Sequence, residues 1–354
     1  MPLRVAPYLR LARRLIHGPG TPESVAIEKE VLCPEETSAN PPPIFLPGQI
    51  ERATSATEHQ PLQAEIGSML APTYTHAPTI AYHVRDATIF DGSVYAGNLR
   101  HFIADTKLFG DGGTPRHLKV AGLASTTVGN RYFGHWLRDD CVQYLLAEQT
   151  GATVCISSQT SDHKTRYASY FGQDWTPTDR AVVDDFVIYQ DFSQNSLKLE
   201  RYRFLSSKIN AGFSAPAERT GLVYLRRGET GAARPIHDEP VLIDMLVKRG
   251  FVVIDIGRDD LDQVLKTLLQ ARLLVSIEGS HMTHCVYTLN ENSGLLVLQP
   301  ADRFTAVHRH WAASVGVPFG FVVGARSEQG YRFSLDEILQ TIDLVLNRIG
   351  LPTT

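Results

Sequence analysis

The chain has 354 residues, 43% hydrophobic and 20% charged, with a formal net charge of -4. That length and balance describe a globular protein with material for two cores, and without a basic face of the required density beyond residue 17 they exclude a nucleic-acid binder. Cys33, Cys141, Cys155 and Cys285 are scattered with no CxxC spacing, which signals neither a zinc site nor a disulfide framework and fits a reducing cytoplasm.

Along the chain, Tyr8, Leu11, Ala12 and Leu15 recur at helical spacing, and Arg10, Arg13, Arg14 and His17 repeat that spacing two residues later. The pattern predicts a basic amphipathic helix over 1–17 that offers a surface for peripheral contact with an anionic membrane; a short helix docked on its own protein is the other reading. It is too short and too interrupted by arginine for a signal peptide or a spanning helix. From Gly18 to about residue 75, Gly18-Pro19-Gly20, Pro41-Pro42-Pro43 and Pro47-Gly48 predict an extended arm, because proline fixes φ and removes backbone donors. The first domain boundary is thus placed at 75/76.

Alternation in Ile80, Tyr82, Val84 and Ile89, with a turn at Asp91-Gly92, predicts a β-meander over 79–97. Gly110-Asp111-Gly112-Gly113 precedes Pro115 and no clear helix, so it reads as a plain turn. A strand at 153–156, a helix around 167–171 and strands at 181–183 and 186–189 suggest a Rossmann-like domain over 76–215. A clearer α/β alternation follows in 216–330: strands at 222–226, 251–256, 273–277 and 294–298, with helices at about 238–249, 259–271 and 280–289. This order predicts a parallel sheet with helices on both faces. Ligands of such sheets sit beyond the carboxyl ends of the strands, which puts Arg226, Arg227, Glu278, Gly279, Ser280 and His281 on one rim. A last helix at about 335–349, in the closing segment 331–354, can cross back to the first domain.

One segment carries chemistry by its spacing. In Gly129-Asn130-Arg131-Tyr132-Phe133-Gly134-His135-Trp136-Leu137-Arg138-Asp139-Asp140, a polar entrance leads into a helix whose Leu137, Cys141, Tyr144 and Leu145 define a buried face. His135 and Asp139 lie four apart on one face, where an imidazole and a carboxylate can meet as an acid/base pair. A histidine hydrogen-bonded near the core, with Asp139 as its solvated partner, satisfies the same spacing.

Together with Tyr224-Leu225-Arg226-Arg227 and Ser276-Ile277-Glu278-Gly279-Ser280-His281, this helix resembles glycosyltransferase family 61 over roughly residues 80–325. The family pattern runs as a Gly-Asn-Tyr-x-His-Trp-Leu-x-Asp helix, a strand ending in Tyr-x-x-Arg-Arg, and a late strand-turn-helix rich in small residues and histidine. Where many members carry His-Gly-Ala-Gly this chain has Glu278-Gly279-Ser280-His281, and His237 stands for an asparagine after the Arg-Arg strand. The resemblance implies an α/β protein of GT-B type, two Rossmann-like domains facing across a cleft, and an inverting sugar transfer.

On that reading a nucleotide-sugar donor leaves behind a diphosphate, whose growing charge Arg227 would meet, with Arg226 beside it pointing the other way by strand alternation. The backbone N–H groups at Gly279 and Ser280, opening a helix, serve the same phosphates, so no metal or other cofactor is required. Glu278 either binds sugar hydroxyls or pairs with Arg226 or Arg227; His281 contacts phosphate or base, and with His284 lacks a third ligand for a metal. Asp139 is the favoured general base for the acceptor hydroxyl with His135 orienting it, the reverse assignment being open, while Asn130 and Trp136 are assigned to substrate binding. The expected partners are a nucleotide-sugar and a glycan or lipid-linked saccharide, in surface-polysaccharide synthesis at the cytoplasmic face of the membrane. A nucleotide-sugar epimerase and a noncatalytic sugar-nucleotide-binding scaffold are the alternatives. Neither GxxxxGK[ST] nor GxGxxG occurs, which argues against a kinase or a dinucleotide dehydrogenase.

Overall fold

The computed structural model describes residues 18–57, 60–105, 114–157, 161–228 and 233–350. The helix expected over 1–17 and the run Gly110–Gly113 lie outside the described residues. The chain divides into two compact units: residues up to Glu36 with Ala77–Leu205, and Thr37–His76 with Ser206 onward.

The expected arm is therefore shared between the units, and it is not simply extended. Its strands are β1 (Glu28–Cys33), β2 (Glu36–Ala39) and β3 (Thr73–His76), and Pro61 opens a helix, Leu62–Leu70. Proline controls the coil segments between them, but a proline just before a helix is harmless because the first N–H groups have no helical partner.

The first unit is built on a seven-stranded sheet in which β4 (Thr79–Phe90), β5 (Ser93–Ala96), β6 (Leu99–Phe102), β7 (Arg116–Leu123), β8 (Ala152–Val154) and β9 (Ala181–Gln190) run in the order β6-β5-β4-β9-β7-β8, with β1 also on β4. Asp91 and Gly92 both take positive φ (48° and 63°), the geometry of a two-residue hairpin turn that matches strand twist, and so β5 returns antiparallel to β4. Only β8, β7 and β9 are mutually parallel; β4 pairs antiparallel with β9. The sheet is thus mixed, where strand-helix-strand order had suggested a Rossmann-like one. β9 is one strand, not two: Asp184 and Asp185 in its middle are paired with His117 (2.9 Å) and His83 (3.2 Å).

The second unit matches the expected alternation. Strands β10 (Gly221–Arg226), β11 (Phe251–Asp255), β12 (Ala271–Ile277), β13 (Gly294–Pro300), β14 (Phe319–Ser327) and β15 (Gly330–Arg332) stand in the order β11-β10-β12-β13-β14-β15. The first five are parallel and β15 is antiparallel to β14. In parallel-strand order this is 2-1-3-4-5, which reverses between β10 and β12; ligands of such sheets occupy the crevice at that reversal. Leu273, Val275, Leu296, Leu298 and Val322 are buried in one core with Ile338, Ile342 and Val345 of the final helix, Leu335–Arg348. That helix packs on its own unit's strands β13 and β14.

Arg309, in the helix Val307–Ser314, holds residues 37–76 to this second unit. Its buried guanidinium donates to the carbonyls of Ser68, Asn40, Pro41 and Ala71 at 2.9–3.0 Å, and burial pulls its pKa down to about 10. Arg309→Met strands those carbonyls, at roughly 1–3 kcal/mol for each one left unsatisfied. The expected outcome is a lower Tm together with faster limited proteolysis between residues 37 and 76; unchanged cleavage there would show that this guanidinium does not hold the segment.

Candidate functional site

In the first unit the polar entrance is a short helix, Thr127–Arg131, capped by Thr126, whose hydroxyl accepts the Gly129 N–H at 3.0 Å. A single helical turn, Phe133–His135, leads into a π turn, Trp136–Asp140, and then a regular helix, Cys141–Thr150. Leu137, Cys141, Tyr144 and Leu145 face inward as their spacing predicts. A π turn is uncommon inside a helix and frequently marks a functional site. Here it separates two adjacent carboxylates, each bound to a different set of partners.

Asp140 turns back to the helix start. Its carboxylate accepts the Thr126 hydroxyl (2.7 Å) and N–H (3.2 Å) and occupies the space a side chain would need at position 129, since a Cβ there would lie 2.0 Å from Oδ2. Asp139 turns the other way and is 7% exposed. Its Oδ2 meets His135 Nδ1 at 2.8 Å and Arg138 Nη2 at 2.9 Å, while Oδ1 meets Lys198 Nζ at 2.8 Å and Arg138 Nε at 3.2 Å. Burial pushes this carboxyl up, but Arg138, Lys198 and the His135 hydrogen bond outweigh it and hold Asp139 well below the usual range. His135 Nδ1 also stands 3.0 Å from Arg138 Nη2, so this nitrogen either donates to the Asp139 carboxylate, with the ring's lone pair then at Nε2, or accepts from the guanidinium. The His135 side chain is 38% exposed.

Asn130 donates to the carbonyls of Thr126 (3.0 Å) and Ile156 (2.9 Å), joining the helix start to the segment after β8. Trp136 is buried against Trp175, ring centres 5.3 Å apart, with Lys164 over its ring.

In the second unit Arg227 follows the end of β10 and Glu278-Gly279 follows the end of β12, the two strands that flank the order reversal. Arg227 and Arg234 converge over Gly279: a Cβ built there would lie 1.7 Å from Arg227 Nη1 and 2.7 Å from Arg234 Nη1. Glu278 pairs with Arg234 at 3.1 Å, not with Arg226 or Arg227, and Arg303 and His308 stand 3.9 Å from it. Burial raises the Glu278 carboxyl, yet His308, Arg234 and Arg303 together hold it below the usual range. Arg227, buried and beside Arg234, is pulled down to about 10. Among the described residues, Arg234 Nε and Arg303 Nε are buried without a hydrogen-bond partner.

His281 stands behind this cluster. Ser276 Oγ donates to the Leu225 carbonyl (2.7 Å) and so accepts from His281 Nε2 (2.8 Å), which leaves Nδ1 to accept from Arg227 Nη1 at 3.3 Å. Burial and Arg227 keep the imidazole neutral by lowering its pKa well below the ordinary value. Ser280 is exposed at the start of a 3-10 helix, Ser280–Tyr287, where an α-helix was expected. Arg226 points away, as strand alternation predicts, and binds Glu239 (2.9 Å) and Asp255 (3.2 Å).

Arg138, Lys198, Arg234, Arg303 and His308 escaped the sequence reading. Arg138 lay inside the motif already singled out, but the others join their clusters from distant segments and carry no local signal. Among the described residues no group of three or more His, Cys, Asp or Glu is placed to hold a metal ion, and no helix is long and apolar enough to cross a membrane.

The chain is thus an α/β protein with arginines at the order reversal of a parallel sheet in one unit and an Asp–His pair on a buried helix in the other. The family model of Glycosyltransferase 61 matches residues 133–296, and over that stretch the chain is similar to glycosyltransferase family 61. The matched stretch contains His135, Asp139, Lys198, Arg227, Arg234 and Glu278. No curated protein matches the chain.

Asp140 gives this site a pH signature. Burial lifts its carboxyl to about 8, against the hydrogen bonds from Thr126, so the folded chain holds a proton there that the unfolded chain releases near 3.8. The stabilisation is complete below the unfolded value and is lost as pH rises through about 8. Its slope is at most about 1.4 kcal/mol per pH unit. In denaturant titrations from pH 4 to 8, Asp140→Asn is expected to reduce the fall in stability by part of that slope, and an unaltered slope would rule the carboxyl out as its source.

Proposed function

We propose that this glycosyltransferase takes a sugar from a nucleoside-diphosphate donor and transfers it, with inversion at the anomeric carbon, to a hydroxyl of a glycan or lipid-linked acceptor. The observation that carries the reading is the convergence of Arg227 and Arg234 over Gly279, with Arg303 nearby, at the order reversal of the parallel sheet. Among the described residues three guanidinium groups, Arg227, Arg234 and Arg303, surround the carboxylate of Glu278, with Asp302 also acting on Arg234, in a half-buried place. A diphosphate supplies negative charge there and accepts from the guanidinium N–H groups. Charge neutralisation by arginine, helped by the N–H groups opening the helix at Ser280, gives the leaving group its stabilisation without a divalent metal.

His135 is the better general base, which reverses the preference for Asp139. A carboxylate already held by two cations and an imidazole is a weak proton acceptor, whereas Nε2 of His135 has its lone pair ready. In the transfer the acceptor O–H proton passes to Nε2, the acceptor oxygen bonds to the anomeric carbon, and the bond to the diphosphate oxygen breaks with its electron pair leaving on the phosphate. Asp139 holds the ring in place through Nδ1 while the proton is taken up. The GT-B arrangement, the cytoplasmic setting, the role in surface-polysaccharide synthesis and membrane contact through residues 1–17 belong to the same proposal. They are supported by the similarity of residues 133–296 to glycosyltransferase family 61, the parallel sheet of the second unit and the basic amphipathic pattern in the sequence of residues 1–17.

Calorimetry against UDP, GDP and CMP in EDTA tests the donor site. One nucleoside diphosphate is expected to bind without metal, and Arg227→Ala and Arg234→Gln are each expected to weaken it by at least about tenfold, the worth of one charge-assisted hydrogen bond. Binding that requires a divalent ion would overturn the metal-independent scheme. For the base, His135→Gln is expected to lower kcat by about 10²–10⁴ with little change in nucleotide affinity; full activity in that variant would return the role to Asp139.

A further inference from the structure

Lys198 is completely buried, yet it lies in the first turn of the helix Ser196–Gly212, where the helix dipole disfavours a cation. Its place is fixed from both sides. Its own N–H donates to Asn195 Oδ1 at 3.1 Å, and Asn195 is anchored in turn on Thr79 Oγ1 at 2.8 Å. Nζ donates to Asp139 Oδ1 at 2.8 Å and to the Asp191 carbonyl at 2.9 Å. The nearest other ion pair is self-contained: Arg201 holds the Asp191 carboxylate with two hydrogen bonds of 2.8 Å, and Thr79 adds a third at 2.9 Å. Lys198 therefore has one anionic partner, Asp139, and shares it with Arg138.

We propose that Lys198, together with Arg138, is a positioning residue for His135: the two cations hold Asp139 so that its carboxylate fixes the ring and its Nδ1–H tautomer without trapping a proton on Nε2. The proposal rests on the reading of His135 as the base and adds the device that makes the base usable. An unshielded buried carboxylate 2.8 Å from an imidazole stabilises the imidazolium, and a base that already carries its proton cannot take one from an acceptor. Lys198 on the far oxygen, Oδ1, and Arg138, whose Nη2 lies 2.9 Å from Oδ2 and 3.0 Å from the ring's Nδ1, oppose that pull and leave its direction intact. The charged and titratable groups around the ring are Asp139, Arg138 and Tyr132 from its own segment and Lys198 and Tyr202 from the facing helix; Asp140 adjoins Asp139 and is turned to Thr126.

The test is an NMR titration of the His135 ring in the whole protein, assigned with His135→Gln. Lys198→Met is expected to raise the ring's midpoint by about one pH unit, as removal of a nearby cation should, and Lys198→Arg to restore it. Arg138→Gln, a change at a partly exposed side chain that keeps the fold safe, is expected to move it the same way. Asp139→Asn should move it down. The acidic limb of the kcat/KM profile should follow, so that Lys198→Met loses activity at neutral pH and regains it at higher pH, which a packing defect would not do. If both cation variants leave the midpoint in place while Asp139→Asn lowers it, the proposal is overturned and the Asp–His pair stands. If His135→Gln keeps full transfer while the midpoints move as described, the base assignment falls and the charge clamp on Asp139 survives.

Discussion

A carboxylate taken out of water loses several kcal/mol of hydration that only well-placed charge and hydrogen bonds can offset. Asp139 is in that position, and much of the first unit's local architecture follows from it. Lys198 must be buried to reach it, so the helix that carries Lys198 must begin where Asn195 and Thr79 can cap and anchor it. Asp191 must be neutralised separately, which Arg201 does, because a second free carboxylate would compete for the lysine. The π turn lets Asp140 leave this group for Thr126, and glycine at position 129 makes room for it.

The second unit solves the converse problem. Around Glu278 the guanidinium groups are in excess, and Arg227 is held by a neutral His281, itself fixed through Ser276 to the carbonyl of Leu225 on the neighbouring strand. Orientation is thus imposed by the sheet. On the proposed reading a diphosphate meets these guanidinium groups at the sheet's order reversal, and their pre-orientation lowers the entropy lost on binding. Gly279 has the same role here as Gly129 in the first unit: each is a glycine because another side chain, Arg227 or Asp140, already occupies the place of its Cβ.

How much of this could be read from the sequence differs between elements for identifiable reasons. The second unit's strands and helices were legible because a parallel sheet covered on both faces writes unbroken apolar runs, such as Leu273–Ile277, between amphipathic helices. The first unit was less legible. Asp184 and Asp185 look like a break within β9, and their histidine partners on adjacent strands cannot be seen from the sequence around them. The 18–75 segment was read through its prolines, which hid both a helix and a strand that joins the main sheet.

What the sequence determined by itself was local: the helical face of Leu137, Cys141, Tyr144 and Leu145, the proximity of His135 to Asp139, the opposite directions of Arg226 and Arg227, and a motif set sufficient to resemble glycosyltransferase family 61. These follow from periods of 3.6 and 2 residues, which relate only near neighbours in the chain. The tertiary structure decided that Lys198 and Arg138 share the Asp139 carboxylate with His135. It decided likewise that Arg234, Arg303 and His308 surround Glu278. Those partners lie up to 59 residues away from the residue they control. Charge interactions act through space with no periodic trace in the sequence, so only the fold could bring them together.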